Sequence, residues 1–231
     1  MSAFVRFPHT PHLVWLGEGE PRDDKLMGEE EVRDFLCDEI IVEEKVDGAN
    51  LGFSIDFDGS LRAQNRGHWL DPPFDGQFTR LGSWFSRHND ALFDALGTEL
   101  ILFGEWCAAR HSLYYQRLPD YFLAFDVYDS VAKRFWSVAR RNAFAAQLDI
   151  AVVPRILQGK YSLHAVKREL ESARSIFRDG PVEGFYLRKE SGDWLWARAK
   201  IVNADFTQTI GEHWSRRRMQ WNAMEGPRAT E

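Results

Sequence analysis

Apolar positions recur along this chain in two rhythms. Short apolar runs and period-two alternation, as in Ile40-Ile41-Val42 and Leu51-Gly52-Phe53-Ser54-Ile55, predict strands. Spacing near 3.6 predicts helices. The strands fall at about 39–46, 51–57, 61–66, 99–106, 121–128, 182–189 and 193–202. Helical spacing covers Glu29–Cys37 through Val32, Phe35 and Leu36, and about 76–96 through Phe78, Leu81, Trp84, Phe85, Leu92 and Leu96. Ala-rich Ala139–Leu148 predicts another helix, and Ser162 reads as the N-cap of one running through about Ser172. Phe135–Val138 predicts a short strand. Val152–Ile156 is at best an edge strand, because Pro154 lacks the N–H that a central position needs. Glu190-Ser191-Gly192-Asp193 reads as a turn between two strands. Phe206–Met224 predicts a final helix with Ile210, Trp214 and Trp221 on one side. Met1–Gly28 is irregular and reads as ordered wrapping. No repeat is visible. Antiparallel-looking strands with interspersed helices predict an α+β fold.

Composition narrows the picture modestly. The 231 residues suit one large domain or one domain plus a small appendage, and 44% hydrophobic content supports a true core. A formal net charge of -6 argues against a protein that coats nucleic acid nonspecifically. It leaves room for local basic grips, for which Arg110 with His111, Arg140 with Arg141, and Arg216-Arg217-Arg218 are candidates. The 9 Trp and 17 Phe serve packing first, with base stacking as a further use. The 2 cysteines, Cys37 and Cys107, have no metal-ligand spacing and read as two buried free thiols. No apolar leader or membrane-length run is present, which predicts a cytoplasmic protein.

The candidate chemistry centres on Lys45-Val46-Asp47-Gly48-Ala49-Asn50, between two predicted strands. A lysine at such a junction, with a carboxylate two residues on and a glycine that admits a ligand, suits a covalent nucleophile. An ordinary hairpin with a surface lysine fits these six residues, taken alone, better. Further segments follow in order: Gln64-Asn65-Arg66-Gly67, Phe103-Gly104-Glu105-Trp106, Phe122 to Asp129, Val182 to Arg188, and Arg198 to Phe206. Taken together they resemble the ordered motifs of the covalent nucleotidyltransferases, the ATP-dependent polynucleotide ligases and mRNA capping enzymes. Asn50 and the Arg66-Gly67 pair look most like the RNA ligase 2 branch. The resemblance covers roughly Glu43 to Phe206.

That resemblance implies a nucleotidyltransferase domain of antiparallel sheets with flanking helices. It implies ATP as cosubstrate and Mg²⁺ or Mn²⁺ held largely through water. Lys45 is the implied nucleophile, forming lysyl–AMP. Asp47, Glu105, Asp126 and Glu183 are the implied metal-associated carboxylates. Glu105 also looks like the ribose contact. Phe125 looks like the aromatic against the purine, although a core phenylalanine suits the pattern nearly as well. Glu44 precedes the nucleophile, and its backbone is placed to read the adenine edge. Asn50 and Arg66 look like adenylate or RNA-end contacts. The last motif departs from the family pattern of two lysines separated by one residue. Anchored on Asn203 to Phe206, Lys200 is the first of the pair and Val202 stands in place of the second; anchored on Lys200 as the second, Arg198 substitutes for the first. Lys200 is the preferred phosphate contact on either reading. Ala108 to Tyr115 reads either as a phosphate and stacking segment or as a loop packed over the site.

The implied substrate is RNA with 5′-phosphate and 3′-hydroxyl ends. Alternatives are a DNA ligase-like or capping-like enzyme, or a noncatalytic RNA-end or nucleotide-binding subunit of a repair complex. Residues 1–206 are expected to form the nucleotidyltransferase domain and 207–231 a helical tail. Only about 25 residues follow Phe206, so no C-terminal OB domain is expected, and a partner subunit or homodimer is expected to supply RNA-positioning surface.

Overall fold

The computed structural model describes residues 4–18, 25–207 and 219–226. Among the described residues, five α-helices and ten strands follow in the order α1 (Glu29–Leu36), β1 (Ile40–Lys45), β2 (Ala49–Ile55), β3 (Leu61–Gln64), β4 (Trp69–Leu70), α2 (Leu81–Leu96), β5 (Leu100–Trp106), β6 (Phe122–Asp129), β7 (Arg134–Phe135), α3 (Val138–Gln147), β8 (Arg155–Gly159), α4 (Leu163–Ser172), β9 (Gly184–Ser191), β10 (Trp194–Val202) and α5 (Ala204–Thr207). A 3₁₀ turn, Gly76–Phe78, precedes α2 and takes the first residues of the helix expected from 76.

The strands form two antiparallel sheets, β10-β9-β1-β8 and β4-β3-β2-β5-β6-β7. The α+β expectation holds. One expectation does not: β1 and β2 do not make a hairpin. The chain leaves the first sheet at Lys45 and enters the second at Ala49, pairing there with Trp106. This crossover puts the lysine between the two sheets.

Each sheet owes its place to one apolar face. In the first sheet, Ile40, Val42, Phe185, Leu187, Ala199 and Ile201 are buried with Val32 and Phe35 of α1 and Val166 and Leu170 of α4. The amphipathic spacing of both helices supplies the matching stripe. Ser162 caps α4 by accepting a hydrogen bond from the Ala165 N–H, as its type suggests. The second sheet packs Phe53 and Phe122 against Trp84 of α2, with the Phe53 and Trp84 rings stacked at 4.9 Å. The expectation of two buried free thiols is met at Cys107 and not at exposed Cys37.

Three local expectations shift. Phe135 to Val138 is not one strand: β7 ends at Phe135, and Ser137 caps α3 instead. The edge strand begins just past Pro154, where the missing N–H no longer matters, and runs to Gly159 against β1. Of the helix expected over Phe206–Met224, residues 208–218 lie outside the described residues, and α5 covers Ala204–Thr207. Residues 219–226 are non-helical, with bridges from Trp221 to Ala109 and from Met224 to Leu118. Trp221 thus lies over the 108–118 loop, with the Arg80 guanidinium 4.4 Å above its ring. Ile210, Trp214 and Arg216 to Arg218 lie outside the described residues.

Candidate active site

The other face of the first sheet is charged. Cross-strand register sets Lys45 beside Gly184 and Val202, Glu43 beside Tyr186 and Lys200, and Arg188 beside Arg198. Alternation therefore sends Glu43, Lys45, Tyr186, Arg188, Arg198 and Lys200 to one side, toward the second sheet. Gly184 is required at this row, because a Cβ there would lie 2.4 Å from the Ile201 carbonyl oxygen.

Lys45 Nζ is held by both oxygens of Glu183, at 2.6 and 2.7 Å. Their side chains are only 18% and 14% exposed. Burial pulls the Lys45 pKa down, but the charges of Glu183, Tyr186, Asp47 and Glu105 more than offset it, and the net shift is upward. The lysine of the free protein is an ammonium. Burial raises Glu183 as well, against the opposing pull of Lys45. Glu105 is pushed up to about 8, first by burial and then by Glu183 and Asp47, with Lys45 opposing. Three carboxylates thus crowd one ammonium.

The loop after Lys45 is fixed from several sides. The Gly48 N–H donates to Glu105 Oε1 at 3.1 Å. A Cβ on Gly48 would sit 2.5 Å from the Trp106 carbonyl oxygen, so only glycine allows this approach. Asp47 Oδ2 accepts from the N–H groups of Ser112 and Leu113, at 2.7 and 2.9 Å. The Asp47 N–H donates to the hydroxyl of buried Tyr115 at 2.8 Å. The Ala108–Tyr115 segment is therefore the loop packed over the site. Within it His111 sits 2.7 Å from Gln77 Oε1, and exposed Arg110 donates to Gln220.

Asn50 stands opposite Glu105 across β2 and β5, and its buried Oδ1 has no hydrogen-bond partner. Arg66, whose charge reaches Glu105 and Tyr186, likewise has a buried Nε without a partner. Unsatisfied buried polar atoms are costly, and both point to a ligand. Lys200 lies close enough to Glu183 to draw its pKa downward. Lys45, Asp47, Asn50, Arg66, Glu105, Glu183 and Lys200 are thus brought together.

Three expected site residues are placed otherwise. Asp126 is not open to a metal: Arg188 Nη1 holds one oxygen at 2.8 Å and Arg198 Nη1 the other at 2.7 Å. Arg198 is committed to that pair and lies over the rings of Phe135 and Phe7, at 4.1 and 4.8 Å. Glu44 pairs with Phe185 on the apolar side of its sheet, opposite Lys45. Its N–H is taken by the Pro154 carbonyl at 2.9 Å. Burial pushes its carboxyl up to about 7, against contacts to Ser175, Ile176 and Arg178 that lower it.

Phe125 is partly buried against Phe7, with ring centroids 5.1 Å apart. It occupies a bulge, since Phe103 pairs with Asp126 and Gly104 with Ala124. The bulge frees its carbonyl from the ladder, and Arg141 Nη1 donates to that oxygen at 2.7 Å.

Sequence reading missed the network behind this face. Arg141, expected in a basic groove, is fully buried and pairs with Glu43, Nη2 to Oε1 at 2.6 Å. Arg188 joins Asp126 and Glu190. Three arginines balance three carboxylates between the two sheets. The signal was present as charged residues at alternating positions of strands that also carry a full apolar face. Such a strand needs buried partners for its charges.

Two measurements follow from this geometry. Arg141→Met should lose about 3–5 kcal/mol of stability in urea unfolding, because Glu43 is left charged and buried. Glu43→Met combined with Arg141→Met should recover most of that loss. Glu105 binds its proton more tightly folded than unfolded. Raising pH from its ordinary 4.5 toward about 8 therefore costs stability, and below that window the cost vanishes. Between pH 5 and 8.5 the Tm of the wild type should fall relative to that of Glu105→Gln, by an amount worth a few kcal/mol.

A family model for RNA ligases matches residues 38–202. No curated protein matches the sequence. Among solved structures, the chain superposes on a Naegleria gruberi RNA ligase mutant with ATP and Mn at a TM-score of 0.62 and 17% identity, covering 87% of this chain and 63% of that one. An archaeal ATP-dependent RNA ligase gives 0.56 and 16%, over 86% and 48% of the two chains. An Aquifex aeolicus protein described as an ATP-dependent DNA ligase gives 0.54 and 19%, over 87% and 50%. The chain therefore spans less than two thirds of each of these proteins, and at such identities the likeness concerns the fold. The family is carried by the match that runs from just before β1 to the end of β10, across every strand that builds the site, and by it this chain belongs to the RNA ligase family.

Proposed function

We propose that this domain is the nucleotidyltransferase of an ATP-dependent RNA ligase. Lys45 attacks the α-phosphorus of ATP, a nitrogen–phosphorus bond forms as pyrophosphate leaves, and lysyl–AMP results. AMP then passes to the 5′-phosphate of an RNA end, and a 3′-hydroxyl displaces it to seal the strand. The observation that carries this reading is Lys45 Nζ between both oxygens of Glu183, on one face with Lys200 and opposite Glu105 and Arg66.

The bidentate contact keeps Lys45 protonated, so the nucleophile forms only when that contact opens and the proton leaves. Lys200 and Arg66 bring positive charge to the phosphates, where negative charge builds in the transition state. Asn50 offers its unpaired Oδ1 to the adenylate.

Among the described residues no three His, Cys, Asp or Glu side chains are gathered closely enough to ligate a metal directly. The crowded carboxylates do fit a divalent cation held largely through water beside Glu105 and Glu183, with Asp47 behind them. Mg²⁺ or Mn²⁺ held there would supply charge that favours a neutral lysine amine and offsets the negative charge of the phosphates. Among the described residues no helix is long and apolar enough to cross a membrane.

The test is incubation with radiolabelled ATP or GTP, with and without EDTA, followed by a denaturing gel. Label from ATP should move to the protein and EDTA should stop it. Transfer from GTP in preference to ATP, or no transfer at all, sinks the proposal.

A further inference from the structure

The bulge in β10 between Leu195 and Ala197 takes Trp196 out of register with β9. A bulge re-aims the side chain that it displaces. Trp196 is 70% exposed, an unusual state for an indole. Beside this end of β10, arginine and tryptophan alternate. The Arg134 guanidinium lies 4.8 Å over Trp194, and Arg140 lies 5.0 Å from Trp194 and 3.8 Å over Trp136. The paired tryptophans also bridge through their backbones.

These two arginines hold indole rings and no anion among the described residues. Arg141, Arg188 and Arg198 are each matched to a carboxylate. Among the described residues neither Arg134 nor Arg140 pairs with a carboxylate or donates a side-chain hydrogen bond. Stacking on indole pre-organises a guanidinium while leaving its N–H edge open to an oxyanion. Two such cations around Trp194, with the exposed indole of Trp196 two residues along the same strand, match what a single nucleic-acid strand presents: regularly spaced phosphates and bases with π-faces.

We propose that this surface grips single-stranded RNA near the end being joined, with phosphates on Arg134 and Arg140 and a base stacked on Trp196. The proposal rests on the ligase reading for the choice of RNA. Trp196 and Lys200 are four residues apart on one strand, about 13 Å, which a few nucleotides span.

The test uses a 5′-phosphorylated single-stranded RNA and three variants: Trp196→Ala, Arg134→Ala with Arg140→Ala, and Lys167→Ala with Arg168→Ala on α4 as a charge control. All four residues replaced in the double variants are surface positions or ring-stacked, and thermal unfolding checks that each variant folds. Fluorescence anisotropy should show binding about tenfold weaker for Trp196→Ala. The Arg134 and Arg140 double variant should bind about tenfold weaker and flatten the salt slope by about 1.4, the value for two single-strand phosphate contacts. The α4 control should change neither. Lysyl–AMP formation from ATP alone should be the same in all variants. Unchanged RNA affinity in the Arg134 and Arg140 variant overturns the proposal, as does an equal loss in the α4 control. A change of oligomeric state in sedimentation also overturns it, since the surface would then join two copies. Failure of the wild type to form lysyl–AMP would strike the ligase reading, while the RNA-binding comparison would still read this surface.

Discussion

Lys45→Ala is expected to abolish covalent labelling of the protein by ATP. With ATP and a divalent metal, the intact mass of the wild type should rise by one AMP, and the variant should show no rise. The effect is all-or-none because the step needs an amine at one point between the sheets. Lys45 occupies that point through the crossover from β1 to β2. Lys45→Arg should fail as well. A guanidinium satisfies Glu183 electrostatically but stays protonated and cannot attack phosphorus. Circular dichroism guards against a trivial loss, since removing the ammonium leaves Glu183 and Glu105 unbalanced. Labelling that persists in Lys45→Ala would put the nucleophile elsewhere and remove the basis of the proposed function.

Lys200→Ala should reduce the rate of lysyl–AMP formation by about 10²–10³, the usual cost of losing one group that stabilises a developing charge. Arg198→Ala should behave differently. Its guanidinium is bonded to Asp126 and covered by Phe7 and Phe135, so the variant should lose stability more than rate. A buried Asp126 with one arginine removed still has Arg188, which limits the damage. The two variants are to be compared by single-turnover labelling and by urea unfolding on the same preparations. If Arg198→Ala proves the slower enzyme and Lys200→Ala the less stable protein, the phosphate contact belongs to Arg198.

The sequence by itself determined the α+β class, the apolar faces of the strands and helices, and the order of the motifs. These follow from local periodicity, which a chain carries wherever it folds. It also singled out Lys45, Glu105, Glu183 and Lys200, because a known motif order fixed their positions in the chain. Only the tertiary structure decided which charges meet. Asp126 and Arg198 looked like site residues in the sequence, yet they neutralise each other behind the site. Arg141 looked like a surface cation and is buried against Glu43, 98 positions away. Whether Lys45 ends a hairpin or crosses between sheets could not be read from six residues, because pairing partners lie far along the chain. The partners of β1 are β8 and β9, and Lys45 meets Glu183 across 138 positions. Local pattern says which side of a strand carries charge. The opposing charge comes from strands distant in sequence, and only the packing of the two sheets brings it within reach.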